Sequence, residues 1–209
     1  MKIAVVCANG KAGSLIVREA AARGLDVTAV VRGENRSAAK NALIRDLFEL
    51  TCADLAPFDV IVDAFGAWTV DTIGGIPAAV RHLCGLVEGT DKRLIVVGGA
   101  GSLYVNPAHT ACVADGPDFP DAFKPLAAAH DEALAFLRTQ KNVKWTYVSP
   151  AADFRADGER TGRYIPGGEE LVLNDRGESV LSYADYAIAL VDEIMAGRHI
   201  GERISVAGV

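Results

Sequence analysis

The chain has 209 residues, half of them hydrophobic and 23% charged, with a formal net charge of −6. That length suits one α/β domain with a modest appendage, and no stretch is polar enough to read as disordered. The negative charge is spread along the chain without a basic run, which argues against nucleic acid and anionic membrane as partners.

No apolar stretch reaches the roughly 18 residues needed to span a bilayer. The N-terminal MKIAVVCANGKAG carries an apolar run only one strand long and is read as a first strand, not a signal peptide. Cys7, Cys52, Cys84 and Cys112 form no C-x-x-C pair, so buried free thiols are expected, without a disulfide framework or a zinc site. The expected compartment is the cytoplasm, and a monomer or homodimer suits a chain of this size.

In chain order, the strand candidates are IAVVCA, VTAVV, FELTCA, VIVDAF, LIVVGG and WTYVS. Their near-continuous apolarity fits strands buried on both faces. Helical spacing falls between them, at Ala12–Arg23, Arg36–Leu47, Thr72–Val87 and Phe123–Thr139, with a last amphipathic helix at Tyr183–Ala196. Repeated strand–helix–strand units imply an α/β fold, a Rossmann-type doubly wound parallel sheet with a small C-terminal substrate-side appendage. Residues 1–209 are read as one domain, with about 151–181 an irregular substrate-side segment. A second irregular stretch, Gly99 to Asp121, follows the fifth strand. Both follow strand ends of the kind that carry ligands in open α/β sheets.

The strongest local signal is IAVVCANGKAGSLIVREAAARG, in which a strand runs through a glycine turn into a helix. Gly10 lets the backbone approach a pyrophosphate, and Gly13 lets the helix pack closely on the sheet. Asn9, Gly10, Lys11, Ala12 and Gly13 are therefore candidate cofactor-binding residues. The first glycine of a G-x-x-G-x-x-G pattern is replaced by Cys7, and a tight structural turn without ligand is the competing reading. The second strand ends at Arg32, where an acidic residue that holds the ribose of NAD is common. An arginine there suits a 2′-phosphate, favouring NADP(H), while nearby Glu34 keeps NAD(H) open. Asp54, with Leu55 after it, is placed to meet the adenine, though a loop cap explains Asp54 almost as well. Phe65 and Gly66, in VDAFGAW, are expected to let the cofactor lie against the backbone.

The segments NGKAG, VVR, ADL, DAFGAW and RLIVVGGAGSLYVNP resemble the atypical, extended-type short-chain dehydrogenase/reductases. WTYVSPAADF, RTGRY and GESVLSYADYAIALVDEI resemble the C-terminal half of one branch, the NmrA-like, NADH-flavin-reductase-like NAD(P)-binding proteins. The resemblance implies a nicotinamide cofactor and hydride transfer to a small planar acceptor, flavin or quinone-like, with flavin as substrate. A non-catalytic NAD(P)-binding redox sensor is the alternative, and a sugar-nucleotide epimerase or dehydratase a second one. The superfamily's Tyr-x-x-x-Lys pair would fall near Leu126 and His130 and is missing. That loss disfavours ordinary ketone chemistry and suits an acceptor whose own ring delocalises charge.

The resemblance places Pro150 beside the nicotinamide and Ser102, in GGAGSLY, beside the substrate. His130 and Tyr104 are further catalytic candidates, as ribose holder or proton donor. Trp68 is expected in the core by default, with ring stacking as the functional option. Arg160 and Arg163 are candidates for an anionic acceptor tail or simply solvated. His82, His109 and His199 show no metal-ligand spacing.

Overall fold

The computed structural model describes residues 1–209. Its strands and helices are β1 (Lys2–Val6), α1 (Lys11–Ala22), β2 (Asp26–Val31), β3 (Asn41–Ile44), α2 (Cys52–Leu55), β4 (Val60–Asp63), α3 (Val70–Ile73), α4 (Gly75–Val87), β5 (Arg93–Val97) and α5 (Lys124–Thr139). There follow β6 (Lys144–Ser149), β7 (Asp153–Arg155), β8 (Ile165–Gly167), β9 (Val180–Ser182), α6 (Tyr183–Ala196) and β10 (Glu202–Ala207).

Eight strands form one sheet in the order β3-β2-β1-β4-β5-β6-β10-β8. All neighbours are parallel except β8, which runs antiparallel to β10. The order reverses beside β1, whose Val5 lies between Ala29 of β2 and Val62 of β4. That switch point opens a crevice at the carboxyl ends of the strands, where Rossmann-type sheets bind ligands. The expected doubly wound parallel sheet is present.

Alternation along β1 divides the core. Ile3 and Val5 face one apolar layer with Ile16, Val17 and Ala20 of α1 and Tyr186, Leu190 and Ile194 of α6. Ala4 and Val6 face the other, with Val80 and Leu83 of α4 and Leu134 and Leu137 of α5. Helix α1 buries Gly13, Ile16, Val17 and Ala20, one helical stripe. Helix α6 is buried nearly all round; Ser182 caps its start, and Gly197, at φ 60°, ends it.

Two expected elements are wrong. Arg36–Leu47 is not a helix: its later half is edge strand β3, paired to β2 from Thr28↔Asn41 to Val31↔Ile44. The Ala and Leu residues there have helical spacing, but side chain–backbone bonds compete with a helix. Asn35 accepts from the Ser37 N–H and donates to the Ala39 carbonyl, fixing a turn, and Asp46 accepts from the Phe48 N–H. FELTCA is likewise no strand. Thr51 and Asp54 form a capping box that starts α2. The Thr72–Val87 helix is broken in two at Gly74. The irregular segment 151–181 contains β7, β8 and part of β9, and β10 escaped the sequence reading.

All four cysteines are free, as expected, but only Cys84 is buried and Cys52 is exposed. No helix is long and apolar enough to cross a membrane.

Candidate functional site

A cleft of about 820 Å³ runs along the carboxyl ends of the strands. Its floor is the turn between β1 and α1. Cys7 occupies the position of the missing first glycine and takes the left-handed conformation glycine would favour, φ 58°. Its carbonyl accepts from the Gly10 N–H at 2.9 Å. A Cβ on Gly13 would stand 2.6 Å from that same carbonyl oxygen, and one on Gly10 would stand 3.1 Å from it. Both glycines are therefore needed for α1 to cross the strand end this closely.

Helix α1 starts without a side-chain cap and without an acidic residue in its first turn. Its leading N–H groups are left for a ligand, at the positive end of the helix dipole. Asn9 closes the turn from the side: its amide donates to the Glu34 carbonyl and accepts from the Arg36 N–H, each at 2.8 Å. A pyrophosphate-bearing dinucleotide fits this cradle, because Gly10 and Gly13 let α1 start close against the end of β1 and no acidic residue stands in its first turn.

One end of the cleft is cationic. Arg32 and Arg36 line it without side-chain partners, and Arg45 lines it while pairing with Asp54 at 3.5 Å. Glu34, Asp46, Leu47 and Phe48 complete this end. Asp54 does not reach the cleft. It is held in the capping box with Thr51, whose hydroxyl and N–H keep its carboxylate below the usual range. Leu55 is fully buried in the core beneath α4. The third strand ends one segment earlier than the sequence suggested, so Asp46 and Leu47 take the places expected for Asp54 and Leu55.

The other end is aromatic. Phe65 and Gly66 line it, with Trp68, Val97, Gly98, His130, Phe154 and Tyr183. Trp68 is not in the core; it is 68% exposed at the cleft. The glycine pair after β5 is a packing device. A Cβ on Gly98 would stand 2.3 Å from the Tyr147 ring, and one on Gly99 2.8 Å from His130. Tyr147 accepts from the Gly99 N–H at 3.0 Å and lies 3.2 Å from His130 Nδ1, steadying the imidazole at the cleft wall. Burial lowers His130 to about 4, so its ring is neutral at pH 7. Below the site, Asp63 ends β4 as a buried carboxyl that accepts from the Phe65 N–H at 3.0 Å. Burial raises it to about 7. Burial above all, with Asp63 nearby, pushes the Cys7 thiol up to about 12, so it is no thiolate nucleophile.

Gly13 lies beneath the turn and does not line the cleft, and three further expected residues lie outside it. Pro150 is buried at the end of β6. Ser102 has its hydroxyl and carbonyl taken by Arg203 at 3.0 and 2.9 Å. Tyr104 stacks on His109 at 4.1 Å, with Arg203 5.7 Å from its ring centre. Arg203 is a nearly buried cation on β10 that also donates to the Glu169 carbonyl at 3.0 Å and to its carboxylate. It ties the loop after β5 to the segment before β9, a structural employment for Ser102. Arg160 pairs with Glu19 of α1 at 3.1 Å, and neither it nor Arg163 lines the cleft. No group of three or more His, Cys, Asp or Glu side chains is placed to hold a metal.

The sequence reading missed Arg36, Arg45, Asp46, Phe154 and Tyr183 as cleft residues. The first three were hidden by the misread third strand. Phe154 and Tyr183 are distant in sequence and are brought together by the parallel pairing of β7 and β9.

Comparison with known proteins agrees with this geometry. The family described as NAD(P)H-binding matches residues 7–194. The chain is 42% identical over 208 residues to the YwnB protein of Bacillus subtilis, covering 99% of this chain and 98% of that one. It is also similar to a solved structure from Streptococcus pneumoniae named as a candidate NADH-flavin reductase, at 52% identity, full coverage of both chains and a TM-score of 0.97. A candidate epimerase from Bacteroides thetaiotaomicron is 33% identical, with 100% of this chain and 97% of that one covered and a TM-score of 0.82. The chain belongs to the NAD(P)H-binding family, in agreement with the resemblance to atypical short-chain dehydrogenase/reductases.

Proposed function

We propose that the protein is an NADPH-dependent reductase that passes hydride to a free flavin or a similar planar, quinone-like acceptor. The observation that carries this reading is the polarity of the cleft: unpaired arginines at one end, aromatic rings at the other, and the glycine cradle between. When bound in reduced form, the dinucleotide supplies the hydride. The α1 N-terminus and Lys11 receive the diphosphate, and Gly66 leaves room for the ribose and nicotinamide.

Arg32 and Arg36, neither tied up by a side-chain partner, receive a 2′-phosphate at the end of the cleft they share with Glu34 and Asp46. Neutral His130 supports the nicotinamide side as a hydrogen-bonding group, not as a cation. Phe65, Trp68 and Phe154 offer faces on which a planar acceptor stacks. With no Tyr-x-x-x-Lys pair on α5, binding and orientation of two rings carry the reaction. The name of the Streptococcus pneumoniae relative supports a flavin acceptor. That of the Bacteroides relative favours a sugar nucleotide, but the missing base disfavours that chemistry here.

Stopped-flow oxidation of NADPH and NADH, with FMN, FAD or a quinone supplied, tests the reading. Turnover that prefers NADPH is expected. Arg32→Ala should reduce that preference about tenfold or more, the weight of one charge-assisted hydrogen bond. Tight nucleotide binding with no oxidation above the buffer rate would replace this reading with that of a redox sensor.

A further inference from the structure

Helix α6 begins at Tyr183, directly after the capping Ser182, whose hydroxyl accepts from the Asp185 N–H at 3.0 Å. The start of the helix is thus fixed, and so is the ring it carries. That ring stacks on Phe154, with centroids 3.9 Å apart and 28° between planes. Phe154 packs in turn on Tyr186, at 4.9 Å. Rings of Phe154 and Tyr183 both line the aromatic end of the cleft.

Buried tyrosine hydroxyls ordinarily find a partner. Tyr186 donates to the Val148 carbonyl at 2.7 Å, Tyr164 to Asp192 at 2.7 Å, and Tyr147 bonds to Gly99 and His130. Tyr183 differs: its side chain is 8% exposed, but its hydroxyl makes no hydrogen bond within the protein and is not sealed from solvent, so it stays open at the cleft wall. A rigid O–H donor left without a partner at the wall of a ligand cleft is an arrangement that can stabilise charge developing on a reacting molecule.

We infer that the Tyr183 hydroxyl is a catalytic hydrogen-bond donor to the polar edge of the acceptor, replacing from α6 the tyrosine that α5 lacks. This rests on the reductase reading. The transfer moves one hydrogen with its electron pair from the reduced nicotinamide to the acceptor ring. The dinucleotide is oxidised by two electrons and the acceptor reduced by two. Negative charge is left on the acceptor's carbonyl or ring-nitrogen edge, and the Tyr183 O–H donates to it. Burial raises the Tyr183 pKa with no opposing charge, so the phenol keeps its proton, and solvent neutralises the reduced acceptor afterwards.

Tyr183→Phe removes the hydroxyl and keeps the stack on Phe154. With FMN as acceptor, kcat should fall by about tenfold to hundredfold, while Tm and the Kd for NADP+ stay at wild-type values. The second readout is the 13Cζ resonance of Tyr183 in tyrosine-labelled protein, assigned by its loss in the variant. Adding FMN to the NADP+-loaded protein should shift it. Wild-type turnover with an equally active Tyr183→Phe variant overturns the inference and leaves the reductase reading standing. No turnover in the wild type but a shifted resonance overturns the reductase reading while supporting the contact with a planar ligand. Neither turnover nor shift overturns both.

Discussion

Gly13→Ala is the sharpest test of how the nucleotide cradle is built. The added Cβ would stand 2.6 Å from the Cys7 carbonyl oxygen and 3.1 Å from Ala8 Cα, where ordinary contact begins at 3.4 Å. Both neighbours are backbone, so no side chain can rotate away. Relief requires α1 to retreat from the end of β1 by roughly 0.8 Å, an overpacking strain of about 1–3 kcal/mol. For a chain of this size each kcal/mol lowers Tm by roughly 2–4 °C. Scanning calorimetry should therefore show a loss of about 2–12 °C. The retreat also carries the helix N-terminus away from the phosphates. Titration calorimetry should record NADP+ binding weakened about tenfold, since one charge-assisted hydrogen bond contributes roughly 1.5 kcal/mol or more. Gly85→Ala is the control, because Gly85 lies within α4 with nothing within 4 Å of the added carbon. There the same substitution should stabilise by about 0.5–1 kcal/mol through helix propensity. If Gly13→Ala matched Gly85→Ala in Tm and kept wild-type affinity, the close crossing of α1 over Cys7 would not be what the glycine serves.

Two further outcomes are expected. Asp63 is raised by burial from 3.8 to about 7, so its contribution favours the folded state below about pH 4 and is lost as pH rises through 7. Asp63→Asn still accepts from the Phe65 N–H, and its stability advantage over wild type should grow between pH 4 and 8, to roughly 4 kcal/mol at most; an advantage that stays constant across urea titrations in that range would refute a buried carboxyl there. Arg203→Met leaves the Ser102 carbonyl and hydroxyl unpaired, while Glu169 keeps Arg138 and the Tyr104 N–H, and should destabilise by about 1–3 kcal/mol. It should also open the Ala151–Glu178 segment to limited proteolysis at temperatures where the wild type resists, and an unchanged digestion pattern would show that Arg203 does not tie that segment down.

The sequence by itself determined the sheet's central strands, the glycine turn into α1, and α6 from Tyr183 to Ala196. Each of these is a local pattern: an apolar run too long for one face, a turn residue without Cβ, or an apolar helix between a serine cap and a glycine stop. Gly10, Lys11, Arg32, Phe65, Gly66 and His130 were legible as cleft residues because they follow directly from those patterns. The segment from Arg36 to Leu55 was not, because its Ala and Leu spacing says helix. Only pairing with β2 makes Asn41–Ile44 a strand, and only that strand's end brings Asp46 and Arg45 to the cleft in place of Asp54 and Leu55. The roles of Ser102 and Tyr183 were likewise decided in three dimensions. Arg203, about a hundred residues downstream, takes up the Ser102 hydroxyl. Tyr183 gains its place because β7 pairs with β9, stacking its ring on Phe154 of β7. Local patterns are fixed by neighbours along the chain; a side chain's partner across the fold depends on packing that no short stretch of sequence contains.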